Sequence, residues 1–416
     1  MARIVWVPAY QPGSLYPAVP IVLELLRRGH RVTAICESRS EPFMRSLGCE
    51  FRPTSQLGEY LSRTGRPAPV PAAKREWHDG YVAAHFRDLV TGLAAAPQEL
   101  LLVDALEIAG GFAAEAAGLP WSSYVHFAMD EAGVDTPFSF HFWDRTSPAA
   151  PAFVNWWNGL RTMVGLGPEA RPAADHVWFR GSPELSLVLG LPALVHPLTA
   201  PPKYVVRVGP SLWAPAPEPG TADLVSRIGR DRAAILASVS TLQDADLEVV
   251  RLVGQAAEAE SLDVVATLPG KFDVSALPAN VTAVPFVNHD LLLDRVSLVA
   301  CQAGYGTVNR AACAGIPMLL FPDGRDRFNA ARGAVAAGVA ISLEPGKRSP
   351  EDVLGAIRSL STVPSYRLRS RALAAAAAGY DAPATSADAV EELLVTRGAA
   401  NATPEGGLAK SHEARS

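Results

Sequence analysis

Apolar residues in this chain fall into short continuous runs separated by longer amphipathic stretches. Ile4-Val5-Trp6-Val7 is such a run, the pattern of a strand buried on both faces. Pro8 to Gly13 interrupts it. From Tyr16 to Arg28 the positions Val19, Val22, Leu23, Leu25 and Leu26 form one stripe, which predicts a helix closed by Gly29. Arg31 to Cys36 predicts the next strand. Strand, helix and strand in that order make a crossover long enough to join parallel strands. The rhythm returns with a strand from Leu100 to Val103 ending at Asp104, an alanine-rich helix up to Gly118, and a strand from Trp121 to Val125.

Between about residues 135 and 180 the pattern turns aromatic and proline-rich, an excursion longer than an ordinary loop. Trp156 and Trp157 within it read as helix-core positions. Pro201-Pro202 and the stretch Pro210 to Gly220 predict a linker. Strands then follow at Ala234–Val239, Asp263–Thr267, Val281–Phe286, Leu298–Cys301 and Pro317–Phe321. Helices are predicted over Ala245–Glu260 and from near Asp290, Thr307 and Asn329, with further helical text at Arg369–Ala378 and Ser386–Leu394. The expectation is an α/β chain of two Rossmann-like domains. The first spans 1–205, a Pro-rich linker 206–220, the second 221–380, a C-terminal helix 381–396 and a flexible tail 397–416.

Composition narrows the function. The 416 residues are 49% hydrophobic, enough for large cores. Lys plus Arg number 37 against 42 Asp plus Glu, a formal charge of -5, which excludes a broad basic nucleic-acid surface. The four cysteines, Cys36, Cys49, Cys301 and Cys313, are scattered, so neither a zinc site nor a disulfide framework is expected and a reducing cytoplasm fits. Without a run of 18 apolar residues, no membrane span is expected. The start, with its brief apolar run Ile4–Val7, does not read as a signal peptide. Asn280-Val-Thr and Asn401-Ala-Thr therefore read as chance glycosylation matches.

Candidate chemistry concentrates in Cys301-Gln-Ala-Gly-Tyr-Gly-Thr-Val308. Gly304 and Gly306 let the backbone approach a ligand at a strand-to-helix turn. The free N–H groups and positive dipole end of the following helix suit a diphosphate, with Thr307 adding a hydroxyl. The same glycines occur at turns that bind nothing. A third glycine for dinucleotide binding would fall at Asn309, and no GK[ST] ends the turn, so neither a nicotinamide site nor a P-loop is expected.

With Ala314-Gly-Ile-Pro317 and Asn329-Ala-Ala-Arg332, this stretch resembles the donor-binding signature of the family 1 glycosyltransferases of GT-B fold, in particular the actinobacterial natural-product branch. Gly304, Gly306, Thr307, Ala311, Gly315, Pro317, Pro322, Asp326, Asn329, Ala330 and Arg332 match it. Arg28-Gly-His-Arg-Val-Thr33, Gly181-Ser-Pro-Glu-Leu185 and Gly209-Pro210 add further likeness, over about residues 1–395. The resemblance implies two facing domains with the active cleft between them. It also implies an inverting, metal-independent transfer of a sugar from a UDP- or dTDP-linked donor to a small-molecule natural product, with no cofactor. Partners are then the nucleotide sugar and the acceptor, not nucleic acid or membrane, with a homodimer left open.

Carried over position by position, the resemblance puts donor contacts at Ser240, Thr241, Phe286, Val287, Gln302, Gly304, Gly306, Thr307, Arg310, Asp326 and Arg327. Several depart from the family pattern: Gln302 stands for its diphosphate-binding His, Ala303 for its first glycine, Arg310 for its ribose-contacting acid, and Arg327 for a sugar-contacting Gln. Arg325 and Arg327 make that loop basic, either for a carboxylated sugar or extra phosphate or as solvated charge. On the acceptor side, Phe138, His141, Trp143 and His126 are expected.

The family's general-base His falls on Ser14, whose hydroxyl has no useful basicity near neutral pH. Its companion acid falls on Asp104, which would act directly, relay through Ser14, or merely cap the next helix. His126, His141, Asp130, Glu131 and Asp135 are the other candidate bases; His126 also reads as a structural group. Because Ser14, Gln302 and Arg327 each replace a working residue, a non-catalytic relative that binds a partner is the alternative. A sugar-nucleotide epimerase on the same fold fits the text less well.

Overall fold

The computed structural model describes residues 1–9, 11–65, 75–128, 150–169, 181–195, 201–217, 219, 221–230, 232–239, 247–268, 274–284, 287–324 and 326–402. Thirteen strands are described. They are β1 (Arg3–Val7), β2 (Arg31–Cys36), β3 (Glu50–Pro53), β4 (Leu100–Asp104), β5 (Trp121–Val125), β6 (Leu185–Leu189) and β7 (Val205–Gly209), then β8 (Ala234–Ser238), β9 (Asp263–Thr267), β10 (Val281–Val284), β11 (Val296–Cys301), β12 (Met318–Leu320) and β13 (Ala340–Ser342). The first seven form one sheet in the order β3-β2-β1-β4-β5-β6-β7, the last six a second in the order β10-β9-β8-β11-β12-β13. Neighbouring strands pair in parallel throughout both sheets.

The apolar runs are explained by burial on both sides. In β1, Ile4 and Trp6 enter one core layer and Val5 and Val7 the opposite one. Ile235 and Ala237 alternate with Ala234 and Leu236 across β8 in the same way. Strands covered on both faces by helices need no polar alternation.

Both sheets reverse strand order at a first-strand/fourth-strand boundary: β1 with β4, and β8 with β11. In open parallel sheets, ligands bind outside the carboxyl ends of the strands at such switch points. The chain therefore carries two crevices. Val7 and Asp104 end the strands at one, Ser238 and Cys301 at the other.

Several details differ from the reading of the sequence: β3, β6 and β13 were not expected as strands. β7 occupies 205–209, so the first sheet extends four residues into the segment expected as linker. A strand of Val-Val-Arg-Val-Gly between prolines is too short to stand out from a Pro-rich connection. The last helix runs Ala382–Ala402, six residues into the segment expected as a flexible tail, and crosses back to the first sheet. Its Ala382, Ala387 and Val390 join the core around Ile4 and Trp6. Arg28 grips it through Asp388 at 2.6 Å and Glu391 at 2.7 Å, and Arg397 reaches Glu184 at 2.6 Å.

Among the described residues the two halves touch closely at several places, including Gly333 against the Leu194 backbone, and two of them position the site. Gly209 has a φ of +89°, and a Cβ there would lie 2.5 Å from Tyr380, so the outgoing and returning connections press on each other. Gly190 lies against Tyr305, and the backbone N–H of Leu191 donates to Asn309 Oδ1 at 2.8 Å. Tyr305 and Asn309 belong to the helix Tyr305–Cys313 that follows β11, so this helix is seated against the end of β6.

Candidate functional site

One cavity of about 370 Å³ lies where the two crevices meet. From the first half it is lined by Ser14, Leu106, His126 and Phe127. From the second it is lined by Val287, Gln302, Gly304, Gly306, Thr307, Arg310, Asp326 and Arg327. Folding thus brings together ten of the sequence-predicted site residues. Ser240, Thr241, Phe286, Arg325, Phe138, His141, Trp143, Asp130, Glu131 and Asp135 lie outside the described residues.

The second-sheet wall is built by a sharp turn. β11 ends at Cys301, Ala303 takes a left-handed φ of +59°, and Gly304 is the N-cap of the helix that starts at Tyr305. The family glycine replaced by Ala303 thus sits where a side chain costs about 1–2 kcal/mol of backbone strain. No side chain caps this helix, and its start, Gly304 to Thr307, lines the cavity with the positive end of the helix dipole.

Charges around this turn are paired. Gln302 Nε2 donates to Asp323 Oδ2 at 3.2 Å, and Arg327 pairs with the other oxygen of the same carboxylate. The expected basic loop therefore carries its own counter-charge in Asp323. Arg310 lines the cavity as expected, but its guanidinium is already bonded to Asp290 and to the Trp213 carbonyl. Its position is set by the protein before any ligand enters. His289 sits alongside, bonded to Thr267 Oγ1 at 3.2 Å; burial, then the Arg310 cation, push it down to about 4. It is therefore a neutral ring at physiological pH.

Asp323, Asp290, His289 and Trp213 escaped the reading of the sequence. Trp213 lies in the Pro-rich connection, where its ring meets Tyr16 at 5.0 Å and Phe43 at 5.6 Å. An isolated aromatic among prolines gives no periodic signal.

At the first-sheet wall, β4 and β5 pair in parallel with Asp104 opposite Tyr124. His126 stands two residues on, facing the same way as Tyr124. Its Nε2 is 3.2 Å from each oxygen of the Asp104 carboxylate. Asp104 is wholly buried and also accepts the Leu106 N–H at 2.9 Å. Its hydrogen bonds thus run to the following turn and to His126, with the Tyr124 hydroxyl also bonded to it, in place of the relay through Ser14 that was one of the alternatives. Burial by itself would lower the His126 pKa, but Asp104 and then Asp326 outweigh it, and the net shift is upward. Burial raises Asp326 against the pull of His126 and Arg327. Asp326 also meets the backbone of Ala128, so it bridges the two halves.

Residues 250–393 match the family described as erythromycin biosynthesis protein CIII-like, C-terminal domain. The chain is 25% identical over 423 residues to the 4'-demethylrebeccamycin synthase of Lentzea aerocolonigenes, covering 94% of this chain and 100% of that protein. Among solved structures, the glycotransferase of kitacinnamycin superposes with a TM-score of 0.75 at 20% identity, over 94% of this chain and 99% of the other. Glycosyltransferase VinC in complex with dTDP gives a TM-score of 0.67 at 20% identity, over 95% and 100%. The fold is GT-B. Fold and kinship together make the chain a glycosyltransferase, related to those of actinobacterial natural-product biosynthesis. These relationships do not favour the non-catalytic alternative.

Proposed function

We propose that this protein transfers a sugar from a UDP- or dTDP-linked donor to a small-molecule natural-product acceptor. The reaction is direct displacement with inversion at the anomeric carbon, without a metal. The observation that carries this reading is the cavity in which the start of the helix Tyr305–Cys313 meets Ser14 and His126. One wall offers N–H donors and a positive dipole to a leaving diphosphate, the interaction that grows as charge develops on it. The other offers titratable groups to an acceptor hydroxyl. Holding both reactants in one cavity supplies the alignment that direct displacement needs. The dTDP complex of the structurally similar VinC supports the donor class. A cytoplasmic setting is part of the proposal, supported by four free cysteines.

The test is a calorimetric titration with UDP, dTDP and GDP in metal-free buffer. Micromolar binding of UDP or dTDP, about -8 kcal/mol, is expected. No heat with any of the three sinks the donor assignment and turns attention to a protein partner.

A further inference from the structure

We propose that His126, oriented by Asp104, is the general base that takes the acceptor proton. This rests on the transferase reading above. It fills the catalytic task that Ser14 cannot perform.

The pairing is what a base of this kind requires. Asp104 is buried and does not reach the cavity, whereas the His126 ring forms part of its wall. The carboxylate holds Nε2, fixing the tautomer with the proton there and leaving Nδ1 as the lone-pair nitrogen. The Leu106 N–H fixes the carboxylate in turn. The chain of support is backbone to Asp104 to His126, with the imidazole as the end that meets the cavity wall. The backbone carbonyl of His126 also lies within reach of the ring and favours the imidazolium formed once Nδ1 has taken the proton. The other titratable groups on the cavity wall serve less well. His289, held down at about 4, is a weak base fixed beside Arg310 on the opposite half. Asp326 is engaged by Ala128 and faces the donor loop.

The step balances as follows. The acceptor O–H gives its proton to Nδ1, making an imidazolium. The acceptor oxygen forms the new bond to the anomeric carbon. The bond from that carbon to the diphosphate oxygen breaks, and its electron pair leaves with the nucleoside diphosphate. The proton passes from His126 to solvent after release.

Running the transfer backwards tests this without knowledge of the natural acceptor. The full-length protein is given dTDP or UDP with 2-chloro-4-nitrophenyl glucoside, or with phenyl glucoside, and release of the phenol is followed. In this direction His126 must protonate the leaving oxygen. Phenol, with a pKa of about 10, needs that proton, whereas the far more acidic nitrophenol leaves as the anion. His126→Gln is expected to slow phenyl glucoside cleavage by about 10²–10⁴-fold. The nitrophenyl substrate should lose less than about tenfold, with nucleotide affinity within twofold of wild type. Asp104→Asn should show the same selectivity. Equal losses on both glucosides, or no loss on either, overturn the assignment. If wild type fails to bind either nucleotide in the calorimeter, the transferase reading fails, an outcome separate from these.

Discussion

The two walls of the cleft are built on the same plan and encoded in opposite ways. On the second sheet the cavity-lining groups follow one another along the chain: Gln302, Gly304, Gly306 and Thr307 occupy a single turn after β11. On the first sheet the corresponding turn after β1 contributes Ser14, which has no acid-base chemistry to offer. The chemical groups come instead from two neighbouring strand ends, Asp104 on β4 and His126 after β5. A binding turn needs only backbone and local geometry. A proton-transfer pair needs two side chains at hydrogen-bond distance, and parallel strand pairing supplies it from residues 22 apart. A position emptied in one loop is thereby refilled from the next strand without altering the fold.

The strongest way to break this contrast is Asp104→Asn. The amide still fills the space but no longer holds the imidazole in one tautomer, and forward turnover should fall by about 10²–10⁴-fold while dTDP affinity stays unchanged. Unchanged turnover in steady-state assays would remove the first-sheet pair from the chemistry.

Thr307→Val should produce the converse. Loss of a hydroxyl donated to a charged diphosphate costs about 1.5–3 kcal/mol, read as weaker nucleotide binding by calorimetry. Turnover at saturating donor should change far less. Equal effects on binding and turnover would show that the two walls do not divide the work.

Acidity sharpens the same contrast. The groups facing His126 are Asp104 from β4, Asp326 from the opposite half and the Tyr124 and Phe127 rings. The base is active when neutral, and its pKa is raised above 6.5. Turnover should therefore rise with pH through an inflection above that value and fall on acidification. Nucleotide affinity should not follow the same curve. An inflection below 6.5, or none, would contradict the pairing.

The smallest effect belongs to the donor turn. Ala303→Gly removes the left-handed strain of about 1–2 kcal/mol at the cost of about 0.5–1 kcal/mol of chain entropy. A net gain of about 0.5 kcal/mol in chemical denaturation is expected, with donor affinity nearly constant.

The same division governs how much was legible in the sequence. Buried parallel strands write themselves as apolar runs, so β1, β2, β4, β5, β8, β9 and β11 stood out, and with them the switch points that locate the cleft. The donor turn was legible because its residues are adjacent. The Asp104–His126 bond was not, since each residue alone reads as a helix cap or a buried histidine, and only the register of β4 against β5 joins them. Asp323 and Asp290 were invisible for the same reason. Each gains meaning from the arginine it neutralises, four residues away in one case and twenty in the other. Trp213 depends on Tyr16 and Phe43 meeting it from distant segments.

The returning helix Ala382–Ala402 carries a practical consequence for engineering. Since it is packed on the first sheet and clamped by Arg28, the first half is made of two separate pieces of gene. An exchange of donor specificity with a relative should splice between Gly209 and Thr221, then again before Tyr380, so that the last helix keeps its native seat. The two junctions meet in space where Gly209 abuts Tyr380. That contact ties the two crossings together, so the residue chosen at either junction has to suit the other.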